Sequence, residues 1–157
     1  MKQYIKYLWL LLFFNCTNEV DKNLNVSGSI KGLRKGKLYL QKYLNDSILV
    51  NIDSLKIEGV ENFEFNDSLS EAQFYFLTLK KDEADTTLQK IPFFAEKGKI
   101  EINTRLNTFI SSAKIDGSEN QILWDEYLMI IRKFNNQNIE LVKDYLEKKG
   151  EFDSKKR

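Results

Sequence analysis

Between Leu24 and Gly117 the chain runs as short apolar–polar alternations closed by glycine, asparagine, aspartate or charged pairs, and Pro92 is its only proline. Side chains alternate between the two faces of a strand, so such segments bury one face of a sheet and leave the other in water. Leu24 to Ile30 puts Leu24, Val26 and Ile30 on one face. Gly32 and Gly36 bracket a turn. Gly36 to Tyr43 then sets Leu38 and Leu40 opposite Tyr39, Gln41 and Tyr43. Asn45-Asp46 marks the next turn and Ser47 to Ile52 the third strand. Asp53-Ser54 reads as a turn before a short continuation through Leu55 and Ile57.

Phe63-Glu64-Phe65 alternates cleanly, and the aromatic run Gln73 to Leu79 reads as a central strand. Leu88 to Ala95 is a strand that Pro92, lacking an N–H, confines to an edge or a bulge. Glu96 to Lys99 reads as a hairpin turn into Ile100 and Ile102, and Ala113 to Ile115 is the last short strand. Eleven phenylalanines and seven tyrosines favour the same pleated surfaces. The expected fold is mainly β: an antiparallel β-sandwich of about eight short strands over residues 24–117.

The period then changes. Ser118 followed by Gln121 fits an N-terminal capping box. Leu123, Tyr127, Ile130, Ile131, Phe134, Leu141, Tyr145 and Leu146 recur at helical spacing, so residues 118–157 form a C-terminal amphipathic helical segment. Asn135-Asn136 is a candidate break into two helices, and Glu147 to Arg157 is expected to fray. An apolar stripe needs cover, which favours packing on the chain's own sheet over docking on a partner.

The first residues carry an address. Lys2 and Lys6 precede the apolar run Tyr7 to Phe14, which has the layout of a secretory signal and is too short to span a bilayer. Cys16, the only cysteine, follows directly, where lipoprotein-type signals place their acylated residue. Phe13, Phe14 and Asn15 depart from the small residues such signals prefer. Each buried acyl methylene contributes about 0.8 kcal/mol, so two or three chains hold a domain at a membrane. Residues 1–16 are thus read as a signal ending at the lipidated Cys16, and residues 17–23 as a tether. The expected location is the cell envelope, on the inner or outer membrane, with the mature domain periplasmic or surface-exposed.

The order of motifs resembles a domain of unknown function widespread in envelope proteins of Bacteroidota. The residues that carry the likeness are Val26 to Ile30 with Gly32-Leu33, Gly36 to Leu40, Val50 to Ser54, Phe63 to Phe65, Pro92 to Ile102 and Ile115 to Asn120. In longer members that domain precedes a thioredoxin-like domain of the thiol-specific antioxidant or thiol–disulfide oxidoreductase type. The resemblance implies a small, often lipid-anchored β-sandwich and supplies no established catalytic residues. The chain has no Cys-x-x-Cys and ends at Arg157, where the thioredoxin-like half would begin.

The residue inventory excludes several chemistries. There is no histidine, hence no Ser–His triad, imidazole shuttle or His metal ligand. With Cys16 at the acylation position, a thiolate nucleophile or zinc–sulfur site is also excluded. No metal or other cofactor is expected. Removing Lys2 and Lys6 from the 24 basic residues leaves 22 against 23 acidic ones. The basic residues are interleaved with acidic ones, so nucleic acid is not an expected partner.

Asp53 with Ser54 is the most family-like polar pair. It reads as a turn cap, or as a possible binding or general-acid site. Asp82-Glu83 with Asp85 is an acidic loop more in keeping with solvation than with a hard cation. Phe93 and Phe94, like Phe74-Tyr75-Phe76, belong either to the core or to a ligand groove.

The expected function is a non-catalytic envelope lipoprotein domain that binds a protein or peptide. The edge near Pro92 is a candidate acceptor strand. The expected contacts are the membrane, through the anchor, and an envelope partner such as a thioredoxin-like protein or its client. The alternatives are a truncated thiol–disulfide oxidoreductase lacking its thioredoxin-like half and, more remotely, a carboxylate-based hydrolase.

Overall fold

A computed structural model of the chain describes residues 22–45, 47–82 and 88–154, with helix side chains through residue 149. The leader 1–16 with Cys16, most of the tether, Asp46, Glu83 and Asp85 lie outside the described residues. The strands are β1 (Leu24–Lys31), β2 (Lys35–Asn45), β3 (Ile48–Glu58), β4 (Asn62–Asp67), β5 (Gln73–Lys80), β6 (Gln89–Ala95), β7 (Gly98–Arg105) and β8 (Lys114–Asp116). A single helix, α1 (Glu119–Ser154), follows.

The strands form two four-stranded sheets, ordered β4-β1-β7-β8 and β3-β2-β5-β6. The inner faces carry the predicted alternation. Leu24, Val26, Ile30, Phe63, Phe65 and Ile100 of sheet one meet Leu38, Leu40, Tyr75, Leu77, Ile91 and Phe93 of sheet two, all buried. Each such side chain contributes roughly 1.5–3 kcal/mol on leaving water, which makes this interface the main source of stability.

Consecutive strands alternate in direction, so odd-numbered strands run one way and even-numbered strands the other. Sheet one places β1 beside β7, both odd, and their pairing from Leu24 opposite Gly98 to Lys31 opposite Arg105 is parallel. Every other pairing among the described strands is antiparallel. The expected all-antiparallel sandwich therefore holds except at this seam. Alternation reports which residues face inward and says nothing of which strands are neighbours.

The seam is tight. A Cβ on Gly28 would stand 1.9 Å from the Ile102 carbonyl oxygen, so only glycine lets the two backbones approach there.

Three further expectations are corrected. Asp53-Ser54 is no turn: β3 runs unbroken through it, and the irregularity is a bulge in which Leu40 pairs with Asp53, Gln41 pairs with Asn51, and Ile52 is left over. Glu96-Lys97 does not close a hairpin. It carries the chain from β6 in sheet two to β7 in sheet one. Asn135-Asn136 does not break the helix, because asparagine costs a helix interior at most about 0.7 kcal/mol relative to alanine.

The segment expected to fray from Glu147 is helical to Ser154. At about 1.5 Å per residue the 36-residue helix is roughly 54 Å long.

Gly28→Ala is expected to force β1 from β7 and cost about 2–3 kcal/mol. A lower urea midpoint with an unchanged slope would show it; an unchanged midpoint would contradict the tight seam.

Candidate functional site

The sequence-predicted residues do not converge. Asp53 and Ser54 are exposed on β3, an edge strand of sheet two, and the Ser54 N–H donates to Asp53 Oδ1 at 2.7 Å. This is a local bond on a solvated surface, with no second catalytic group among its partners. Phe93 is fully buried and belongs to the core, with its ring 6.1 Å from that of Tyr75. Phe94, one residue on, points to the outer face. Asp82 is exposed, and the rest of its acidic loop lies outside the described residues. Among the described residues, no group of three carboxylate or thiol side chains is placed to hold a metal.

What does converge is an aromatic surface on the outer face of sheet two. Phe74 and Phe94 pair across β5 and β6 with ring centroids 3.9 Å apart. Trp124 of α1 meets Phe74 edge-on at 5.0 Å and stacks on Tyr127 at 5.4 Å. Farther along the same face, Tyr43 and Phe76 meet edge-to-face at 5.4 Å. Offset and edge-on ring pairs are each worth about 0.5–1.5 kcal/mol beyond their buried area, so this surface is rigid. The alternation Phe74-Tyr75-Phe76 predicts two outward rings. Trp124 was missed, because its pairing with Phe94 depends on how the helix meets β6.

The root of α1 is clamped to that sheet. Ser118 Oγ accepts the Gln121 N–H at 3.1 Å, the forward half of the expected capping box. The return half is absent. Gln121 is buried, and its Oε1 accepts the Phe94 N–H at 3.0 Å while its Nε2 donates to Asp125 at 2.9 Å.

Glu96 takes over the capping from outside the helix. Its Oε1 accepts the Glu119 N–H and its Oε2 accepts from Asn120 Nδ2, both at 2.6 Å. Burial alone would raise the Glu96 carboxyl. The donors at the helix start, the Asn120 amide foremost, outweigh it and hold the group below its ordinary value.

This clamp also blunts the edge of β6. The outward N–H positions around Phe94 belong to Pro92, which has none, and to Phe94 itself, which Gln121 occupies. The helix root thus takes up one backbone donor of the edge where an added peptide strand is expected.

At the end of the sandwich where β1 begins, a polar group ties the sheets together. The Tyr75 hydroxyl donates to Asp67 Oδ2 at 2.5 Å, and Lys42 Nζ donates to the Tyr75 oxygen at 3.1 Å. Burial pushes the Tyr75 phenol up, and the Asp67 bond pushes the same way, so it stays protonated. The outer face of sheet one forms a shallow polar trough of about 640 Å³. Its side chains largely bond one another: Asn25 to Glu64 at 2.6 Å, Ser29 to Asn103 at 2.9 Å and Asn103 to Glu101 at 2.7 Å.

A family model for a domain of unknown function matches residues 24–124, from the first residue of β1 to the tryptophan that seals the helix root. The chain belongs to the DUF4369 family. No curated protein and no solved structure matches it. The DUF4369 match thus takes in both sheets, the Glu96 clamp and the first turns of α1. Beyond Trp124, Leu128 and Ile131 are the only partly covered residues of the described helix side chains. The stripe expected to pack on the DUF4369 sheet does not. Tyr127, Phe134, Leu141 and Tyr145 are each more than half exposed.

Because the Glu96 carboxyl is depressed in the folded state, its contribution is complete above the ordinary value of 4.5 and is lost as pH falls through the lower folded value. Acid titration followed by Trp124 fluorescence should show the root loosening below pH 4.5. Glu96→Gln should flatten that transition, and an unaltered titration would remove Glu96 from the cap.

Proposed function

We propose that the chain is a non-catalytic envelope lipoprotein module, anchored through Cys16, that holds a partner protein along α1. One observation carries the reading: α1 stands out from the sandwich with an apolar stripe uncovered over most of its length. Beyond Trp124, which packs on the sheet, Ile131, Asn138 and Tyr145 recur every seven residues, and so do Tyr127, Phe134 and Leu141. These two series form the seam of a helix that pairs with another helix, and Asn138 is its one polar position.

The chemistry this seam accepts is an amphipathic helix with apolar residues in the same repeat. A protein in solution seldom leaves so long an apolar strip bare. The Glu96 and Gln121 clamp supports the reading, because a helix fixed at its root presents its stripe in one direction. The family resemblance supports a thioredoxin-like envelope protein, or that protein's client, as the source of the helix. Cys16 being the only cysteine, any thiol step would belong to the partner. No helix among the described residues is long and apolar enough to cross a membrane, which is compatible with attachment by acyl chains.

A photo-crosslinker at Phe134 is expected to join the chain to one envelope protein. Ile131→Asp with Phe134→Asp should reduce that product at least tenfold while leaving the thermal midpoint unchanged. No crosslink, or the same crosslink in the double variant, would refute the seam. A product containing only this chain would replace the partner with a second copy.

Separately, Cys16→Ala is expected to move the protein out of the membrane fraction and to remove the mass of its acyl chains. Retention without any acyl mass would refute the anchor.

A further inference from the structure

Lysines scattered through the sequence meet at one end of sheet two. Strand direction places Leu24 at the start of the sandwich and gathers the ends of β3 and β5 with the start of β2 at the opposite end. There Lys37 pairs with Lys56 on one side and with Lys80 on the other. Three ammonium side chains therefore stand in one row, on one face, across three neighbouring strands. With Lys35, Lys81 and Asp82 they line a cavity of about 350 Å³, whose wall includes Gly36.

Like charges directly opposite on a sheet are destabilising, and an isolated fold would gain by replacing the central one. Local energetics are broken in this way mostly where a site uses the charge. Each of the three lysines also has an interaction of its own within the chain. Lys56 pairs with Glu58 at 2.5 Å, and the Lys37 ammonium lies 5.0 Å over the Tyr39 ring. Among the described residues, the lining carries five lysines and one aspartate.

Neighbouring strands are about 4.8 Å apart, so the row from Lys56 to Lys80 spans roughly 10 Å. That span exceeds one oxyanion and matches two or three joined ones. The volume lies within the range of small-molecule sites, about 300–1,000 Å³. Lysine contributes a mobile point charge rather than a planar fork, so the site selects charge density over shape. The cavity sits at the far end of the strands from Leu24, roughly 25 Å away at about 3.3 Å per residue.

We propose that this lysine row is a binding site for a ligand carrying two or more linked phosphate groups. The ligand is either free in solution or displayed on a lipid headgroup.

The test uses the full chain with Cys16→Ala, so that acylation cannot carry it to vesicles. Inorganic tripolyphosphate is titrated by calorimetry and by thermal melting, and vesicles of phosphatidylcholine with one-fifth cardiolipin are tested by flotation. The unsubstituted row should bind at least one probe saturably, with the melting midpoint rising as sites fill. Lys37→Gln should weaken binding at least tenfold and, by relieving the row, melt at or above the parent's temperature without ligand. Lys97→Gln, at the other end of the sandwich, should bind as the parent does.

Response to tripolyphosphate identifies a free ligand, and response to vesicles alone identifies a headgroup. No saturable response to either probe overturns the proposal. So does equal weakening in Lys37→Gln and Lys97→Gln, which would be charge screening rather than a site.

Discussion

The parallel contact of β1 with β7 is the constraint on which the rest of the sandwich depends. It joins the first strand to the seventh, so sheet one cannot close until nearly the whole β-region has been laid down. Gly28 is its narrowest point, where the Ile102 backbone takes the space a side chain would fill. In sheet two, the β2–β3, β2–β5 and β5–β6 pairings set the lysine row and the Glu96 clamp at opposite ends.

Much of the fold was legible in the residues. Period-two alternation identified the inward side chains Leu38, Leu40, Phe63, Phe65, Ile100 and Ile102, because burial acts on each strand separately. Pro92 marked an edge because a missing N–H is a property of one residue. What depends on neighbours in space was not legible. The β1–β7 pairing, the crossing at Glu96-Lys97 and the bulge at Ile52 follow from strand order, which alternation does not encode. The Asp53-Ser54 turn was misread for a related reason: two polar residues in a row look alike in a turn and on an exposed edge strand.

The functional surfaces divide along the same line. Phe93 and Phe94 read alike in the sequence, as core or groove; Phe93 faces the core and Phe94 meets Phe74 on the other face, and only the pleat separates them. The lysines at 37, 56 and 80 looked interleaved with acids in the linear chain, and two strand pairings bring them into one row. Ser118 and Gln121 announced a helix start. The signal did not show that Gln121 would turn to the sheet and leave its capping task to Glu96, a residue from the preceding crossing.

The bulge at Ile52 matters beyond the shape of β3. Eleven residues make β3 a long sheet border, and in a flat, regular form it would offer a template to any neighbouring molecule. The extra residue twists that border and interrupts its hydrogen-bonding rhythm midway, while Asp53, Lys56 and Glu58 keep it wet. A border interrupted in this way works against edge-to-edge pairing between crowded copies.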